Sequence, residues 1–330
     1  MQYIDFDAII KNALFFKTKL AKSRSKLCAV IKCDAYGHGI ERVASCLHDI
    51  VDCFAVNDVT EALKIEKFGK DVLILLPQDV RNTNIAVEHQ FVLTLDSHET
   101  LQTMIKCKSG PIRVHIKIDS GMSRLGFKIQ QLPKLMQLID GKNIVVEGIF
   151  SHFYAQNKIS CDEQLNYFAK CSKIVSRKFG NITRHIANTS GVLLDDKYHL
   201  DMARIGLGLY GYGNLHLMVA KTVTAKVVAK KQLPKGSVVG YGAKYICKRL
   251  TDIAIIDIGY CKGYVRALKE PVVKIGNNFA KVIGNICMSM SIVDVTGLDV
   301  NVGDDVVVLG EGVNPSTDDV IIYQLLCYLR

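Results

Sequence analysis

Lys32 closes an apolar run, LCAVIKC (27–33), and is followed at once by Asp34-Ala35-Tyr36-Gly37-His38-Gly39. A lysine amine in such a place can act as a nucleophile or a base. Other polar clusters also come directly after apolar runs: Asp119-Ser120-Gly121-Met122-Ser123-Arg124, Ser151-His152 and Asn188-Thr189-Ser190-Gly191. Arg204 lies inside the run DMARIG (201–206), with Gly206 at its end. An imidazole can carry a proton near neutral pH. A guanidinium can pair with an anion but cannot accept a proton. Loops of glycine and small hydroxyl residues can turn backbone N–H groups toward a phosphate. Each residue also has a plainer reading. A lysine at a strand end is usually a surface charge, and one histidine is usually a hydrogen-bonded buried ring. Asn-Thr-Ser-Gly is a common turn, and Arg204 could pair with Asp201. The joint appearance of these clusters at successive run ends is what argues for chemistry.

Eight short apolar runs read as strands: 27–33, 53–56, 72–76, 91–95, 112–119, 144–150, 184–187 and 201–206. Stretches 39–49, 57–68, 97–107, 128–139 and 161–179 carry apolar residues at helical spacing between them. Eight alternating units over roughly two hundred residues fit a (β/α)8 barrel, whose reactive residues gather where strands end. A doubly wound sheet also alternates, but the count of eight favours the barrel. From about residue 217 the texture changes to short β-branched runs: 222–232, 252–258, 271–275, 280–284, 291–295 and 304–310. Turn residues such as Pro234-Lys235-Gly236 and Gly303-Asp304 punctuate them, which predicts a mostly β domain. The expected organisation is a barrel over 9–215 and a β-rich domain over 216–330, which residues 1–8 are expected to join.

Composition narrows the class. The 330 residues are 49% hydrophobic and 22% charged, an ordinary globular balance. The net charge of +10 is scattered, without a basic tract or an aromatic-interleaved pattern, so no nucleic-acid partner is expected. Eleven cysteines include no C-x-x-C pair and are odd in number, which points to a reducing compartment rather than a disulfide framework. The start, MQYIDFDAII, lacks the layout of a signal peptide, and VLILLP (72–77) is only strand-sized. A cytoplasmic protein with no membrane partner is expected. No metal-ligand cluster is evident.

AVIKCDAYGHG (29–39) closely resembles the cofactor-lysine segment of the alanine racemase family. The likeness runs through IDFDAIIKN (4–12), KIDSGMSRLGF (117–127), EGIFSHF (147–153), HIANTSG (185–191) and ARIGLGLYG (203–211). It continues in VVGYGAKY (238–245), DIGYCKGYVR (257–266) and GNICMSM (284–290). The resemblance implies an amino acid racemase that uses pyridoxal 5'-phosphate and supplies D-alanine for peptidoglycan. It implies that Lys32 holds the cofactor, that Tyr36, Asn188, Thr189 and the Gly206-Leu207 backbone serve its phosphate, and that Arg204 faces the pyridine nitrogen. It sets His152 between Arg204 and a second base, Tyr241. It also implies that Arg124 and the Met288 N–H bind the substrate carboxylate and that Tyr260 shapes the entrance. Lys117 matches a position often carbamylated in the family. A homodimer follows, with Tyr241 and Met288 contributed across the interface.

Racemisation removes a proton from one face of Cα and returns one to the other, so two proton carriers are needed. An ordinary phenol is a poor base at neutral pH, and a cationic pair of His152 with Arg204 is expected to favour the phenolate. Three positions depart from the family pattern. Ser289 stands where Asp is usual, Lys262 stands where the loop often has Asp, and the chain stops at Leu329-Arg330, short of the tail that often supplies another phosphate-binding Tyr. No residue is assigned to that role. The alternatives are a serine or broad-specificity racemase of the same fold and a non-catalytic cofactor-binding protein. Arg204 opposes a decarboxylase, which places a carboxylate at the pyridine nitrogen.

Overall fold

The computed structural model describes residues 1–107, 110–214, 216–269, 271–316 and 321–329. Two compact units emerge, one of Ile9–Ala35 and Gly39–Leu217, the other of Met1–Ala8, Tyr36–His38 and Met218–Arg330.

Counting strands from β1 (Gln2–Ile4), the first unit holds β2 (Lys26–Val30), β3 (Cys53–Val56), β4 (Asp71–Ile74) and β5 (Val92–Leu95). It continues with β6 (Ile112–Lys117), β7 (Ile144–Phe150), β8 (Thr183–His185) and β9 (Met202–Ile205). All pair in parallel, in the order β8-β7-β6-β5-β4-β3-β2-β9. Backbone bonds Asp201 N to Arg184 O (3.1 Å) and Arg204 N to Ala187 O (3.0 Å) bring the two ends together. This is the expected (β/α)8 barrel. The strands are short, apolar and covered, as parallel sheets require.

Polar caps start the helices outside it. Asp58, Asp79, Ser97 and Asn157 each accept the backbone N–H three residues on, opening Val59–Ile65, Val80–Glu88, His98–Ile105 and Lys158–Phe179. Val80–Glu88 was not visible as a period because only Thr83 and Ala86 are buried on it. The first barrel strand is shorter than 27–33: it stops at Val30, and Cys33 is exposed at φ +54. Strand alternation therefore does not govern the direction of Cys33.

The second unit is antiparallel. β10 (Lys221–Leu233), β13 (Thr251–Ile256), β14 (Val272–Ile275), β15 (Asn278–Val282), β16 (Ser291–Asp294) and β17 (Asp305–Leu309) join β1, while β11 (Val238–Val239) and β12 (Tyr245–Ile246) form a separate ribbon. The order is β1-β10-β13-β16-β15-β14-β17, and β17 pairs back onto β10. The ring so closed leaves fewer open strand edges. Buried Val, Ile and Ala residues fill it, including Val223, Val273, Val293 and Val306.

Candidate active site

Lys32 follows Ile31, whose N–H is bonded to Ala55 O at 2.9 Å. The chain then turns left-handed: Cys33, Asp34, Ala35 and Tyr36 have φ between +53 and +54, and Gly37 has φ +72. Such backbone costs about 1–2 kcal/mol per non-glycine residue, so neighbours must hold it. Ala35 N bonds to Ile31 O (2.9 Å), and Gly39 N to Asp34 O (3.0 Å). Asp34 Oδ1 accepts Ile40 N–H at 2.9 Å. Glu61 takes Asp34 N–H on one oxygen (3.2 Å) and Asn57 N–H on the other (2.9 Å). Strain held this firmly is typical of functional segments.

Arg204, on β9, is 4% exposed and points into a network of histidines. It donates to His185 Nδ1 (2.5 Å), Ser151 O (2.6 Å) and His152 Nδ1 (3.3 Å). His185 Nε2 meets His115 Nδ1 at 2.8 Å. A guanidinium only donates, so the ring nitrogens facing it must accept. His185 and His152 therefore carry their protons on Nε2, and His185 donates onward to His115. Asp201, the alternative partner of Arg204, is instead held by Arg184 at 2.8 and 2.9 Å.

Burial and the surrounding cations set the charges. Burial first, then Arg204, Lys117, Arg124 and Lys32, hold the His152 pKa well below the ordinary imidazole value. His185 is lowered by burial and Arg204, and His115 goes down to about 3 for the same two reasons. Burial lowers Arg204 only to about 10, so it stays cationic at neutral pH. This corrects the expected cationic pair: His152 is neutral, and Arg204 alone carries the charge. Lys117 is pushed down to about 7 by burial and by Arg204 and Arg124, against Asp96 and Asp119. Its ammonium lies 4.3 Å from the centre of the Phe150 ring.

The loop bearing Arg124 is set by Asp119. One oxygen of Asp119 accepts Gly121 N–H and Ser123 N–H, both at 3.0 Å, and the other meets Lys128 Nζ at 2.8 Å. Arg124 itself is exposed, and no carboxylate pairs with it among the described residues. Asn188 caps Thr189–Leu194 by accepting Gly191 N–H at 3.0 Å. Thr189 Oγ1 accepts Gly208 N–H at 3.1 Å, which leaves its own proton to donate. A Cβ at Gly208 would come within 2.5 Å of Phe16 and 2.8 Å of Thr189, so this close packing needs glycine.

On the β unit, Tyr241, Tyr260 and Met288 lie on segments tied together through the backbone. Asn285 Nδ2 donates to Tyr241 O (2.7 Å), Tyr260 N to Cys287 O (3.1 Å) and Cys261 N to Met288 O (2.9 Å). Their side chains remain 69%, 42% and 60% exposed, in that order.

Family models decide what this arrangement belongs to. The alanine racemase N-terminal domain matches residues 4–214, and the alanine racemase C-terminal domain matches 220–327. The chain belongs to the alanine racemase family. Alanine racemase of Clostridium kluyveri is 33% identical, over 99% of this chain and 90% of that protein. Alanine racemase 2 of Caldanaerobacter subterraneus is 34% identical, over 96% and 87%. Among solved structures, the biosynthetic alanine racemase of Pseudomonas aeruginosa superposes with a TM-score of 0.90 at 28% identity, covering 100% of this chain and 96% of that one. The alanine racemase of Bacillus anthracis with bound L-Ala-P gives 0.86 at 26%, covering 100% and 92%.

Three residues of this alanine racemase-family chain escaped the sequence reading. His185 and His115 are each one of several polar residues in a short strand, and only their shared barrel interior links them to Arg204. The third is Tyr323, in the helix Ile322–Tyr328, whose ring centre lies 5.9 Å from that of Tyr36. The tail therefore does bring a tyrosine beside Tyr36. No linear pattern contains this pairing, because the two tyrosines lie 287 positions apart in the sequence.

Proposed function

We propose that the chain interconverts L- and D-alanine as a pyridoxal 5'-phosphate-dependent homodimer in the cytoplasm, supplying D-alanine for peptidoglycan. One observation carries the reading: Arg204, Arg124, Lys32 and the ionised fraction of Lys117 all act on a single buried neutral imidazole, His152. Such a concentration of positive charge calls for an anionic ligand. All eleven cysteines are free, which suits a reducing compartment. No helix among the described residues is long and apolar enough to cross a membrane.

The donor set fits the cofactor. Lys32 offers a primary amine for its aldehyde. The Thr189 hydroxyl, with its proton left over, and the Gly206-Leu207 backbone offer donors to its phosphate. Asn188 shapes that loop through its cap. Tyr36 and Tyr323 are phenols side by side, suited to the same anion. When bound, pyridoxal phosphate supplies the electron sink that makes the substrate Cα–H acidic.

The chain's own residues do the rest. Lys32 Nζ takes or returns the proton on one face of Cα. The partner subunit's Tyr241 serves the other face through its hydroxyl oxygen. His152, with Nδ1 turned to Arg204, offers its Nε2 proton toward that oxygen and passes on the influence of the arginine charge. Arg204, being donor-only, would face the pyridine nitrogen of the bound cofactor and leave it unprotonated, which would weaken the electron sink and limit return of the proton to the wrong atom. Arg124 and the Met288 N–H hold the substrate carboxylate, and Tyr260 narrows the entrance. Lys117 at about 7 has a sizeable neutral fraction, the form that adds carbon dioxide. Addition to the neutral amine gives a carbamate and releases one proton; counted from the ammonium two protons are lost, and a positive charge near Arg124 becomes a negative one.

Purified protein incubated separately with L-alanine and L-serine, then resolved by chiral chromatography, tests the reading. D-alanine should form faster than D-serine, and borohydride should fix the cofactor mass to the Lys32 peptide. Labelled Lys32 without turnover would identify a binding protein instead. Preferential turnover of serine would reassign the substrate.

A further inference from the structure

We propose that Lys221 is a positioning residue for phosphate recognition: it registers the C-terminal helix Ile322–Tyr328 against the left-handed turn and so sets Tyr323 beside Tyr36. This rests on the cofactor reading above.

Lys221 opens β10 and is fully buried, 0% exposed. A buried ammonium is tolerated only where polar atoms meet it. Its Nζ donates to Leu326 O at 2.7 Å and reaches Gly37 O at 3.4 Å. Leu326 lies near the end of the helix, where carbonyls have no partner within the helix. A cation there also opposes the negative end of the helix. Gly37 ends the left-handed turn at φ +72. A Cβ on it would lie 2.5 Å from Leu326 O and 3.3 Å from Lys221 Nζ, so glycine is what allows turn, lysine and helix to converge. Gln2 Nε2 adds a bond to the same Gly37 carbonyl at 3.3 Å.

A helix of seven residues does not persist by itself. Leu325, Leu326 and Leu329 are each fully buried and anchor it. Apolar burial is non-directional and tolerates a slide or a rotation. The bond from ammonium to carbonyl is directional and does not. Tyr323 precedes Leu326 by three residues and so lies on nearly the same side of the helix. A rotation that freed Leu326 O from Lys221 would carry the Tyr323 ring away from Tyr36, its neighbour at 5.9 Å.

The test compares wild type, Lys221→Met, Tyr323→Phe and the double variant, each stripped of cofactor and reloaded. Each single variant should raise the Kd for pyridoxal phosphate about 10-fold while leaving that for unphosphorylated pyridoxal within about twofold. The double variant should be no weaker than either single one, because Lys221 acts through Tyr323. Amides of 322–328 should exchange with solvent faster in Lys221→Met. If Lys221→Met does not fold, Lys221→Gln, which keeps one donor, carries the same comparison. Equal losses for both ligands, additive losses or unchanged exchange would overturn the proposal. Failure of the wild type to take the cofactor on Lys32 is a separate outcome: it removes the cofactor reading, and the phosphate role of Lys221 with it, while the exchange rates still report the helix register.

Discussion

Arg204 is 4% exposed and its guanidinium is held by His185, Ser151 and His152, whereas Tyr241 is 69% exposed and is tied down through its carbonyl. The barrel groups are thus oriented before any ligand arrives. The groups on the β unit are oriented at the backbone, with their side chains left in solvent. A proton carrier works efficiently only where water is excluded and its partners are fixed. In the proposed homodimer a second chain would cover the exposed set, and the following experiments are ordered by how hard they press on that contrast.

Lys32→Ala should lower racemisation by at least about 10^4-fold, the upper end for a single proton-transfer group, and should abolish borohydride labelling. Tyr241→Phe should lower racemisation in both directions by about 10^3-fold, since one equilibrium constant binds the two rates. It should nevertheless retain Cα hydrogen exchange with deuterated water for one enantiomer, the one whose proton faces Lys32. Exchange of both enantiomers, or of neither, would remove Tyr241 from the second face. Arg204→Glu should reduce racemisation by about 10^2-fold and raise pyruvate, the transamination product of alanine. Unchanged pyruvate would count against its role at the pyridine nitrogen. Dilution through the dimer dissociation constant should halve specific activity, and a fully active monomer would erase the contrast between the two regions.

The smallest effect concerns Lys117. Its folded pKa, about 7, lies below the ordinary 10.5, so between these values the unfolded chain holds one proton more than the folded one. Stability therefore rises with pH through this window, and the penalty is complete below pH 7 and gone above 10.5. In buffer free of carbon dioxide, Lys117→Met should melt a few degrees above wild type at about pH 6, with the gap closing as the pH rises toward the ordinary lysine value. A gap that does not close would show that Lys117 is not the titrating group. Added bicarbonate should stabilise wild type and not the variant.

Much of the site was legible because barrel strands end where chemistry can be placed. Lys32, Arg124, His152, Thr189 and Arg204 all stood at or within the ends of apolar runs, and all fall where the first unit puts them. The state of those residues was not legible. That His152 is neutral depends on burial together with positive side chains from four separate segments, none of them its neighbour in sequence. The left-handed turn after Lys32 was hidden as well, since Cys33, Asp34 and Ala35 carry no marker for positive φ and only Gly37 does. Tyr323 was passed over because its meaning depends on Tyr36, a contact made through tertiary packing.

By itself the order of residues determined the succession of strands and helices, through apolar period and polar caps, and it determined which side chains could carry an amine, an imidazole or a guanidinium. Those are local properties of the chain. Tertiary structure alone decided which of them share a low-dielectric interior, which way each histidine proton points, and which buried ammonium meets which carbonyl. Charge and tautomer are set by groups a few ångströms away in space, and the chain brings those together only when it closes its barrel and its β ring.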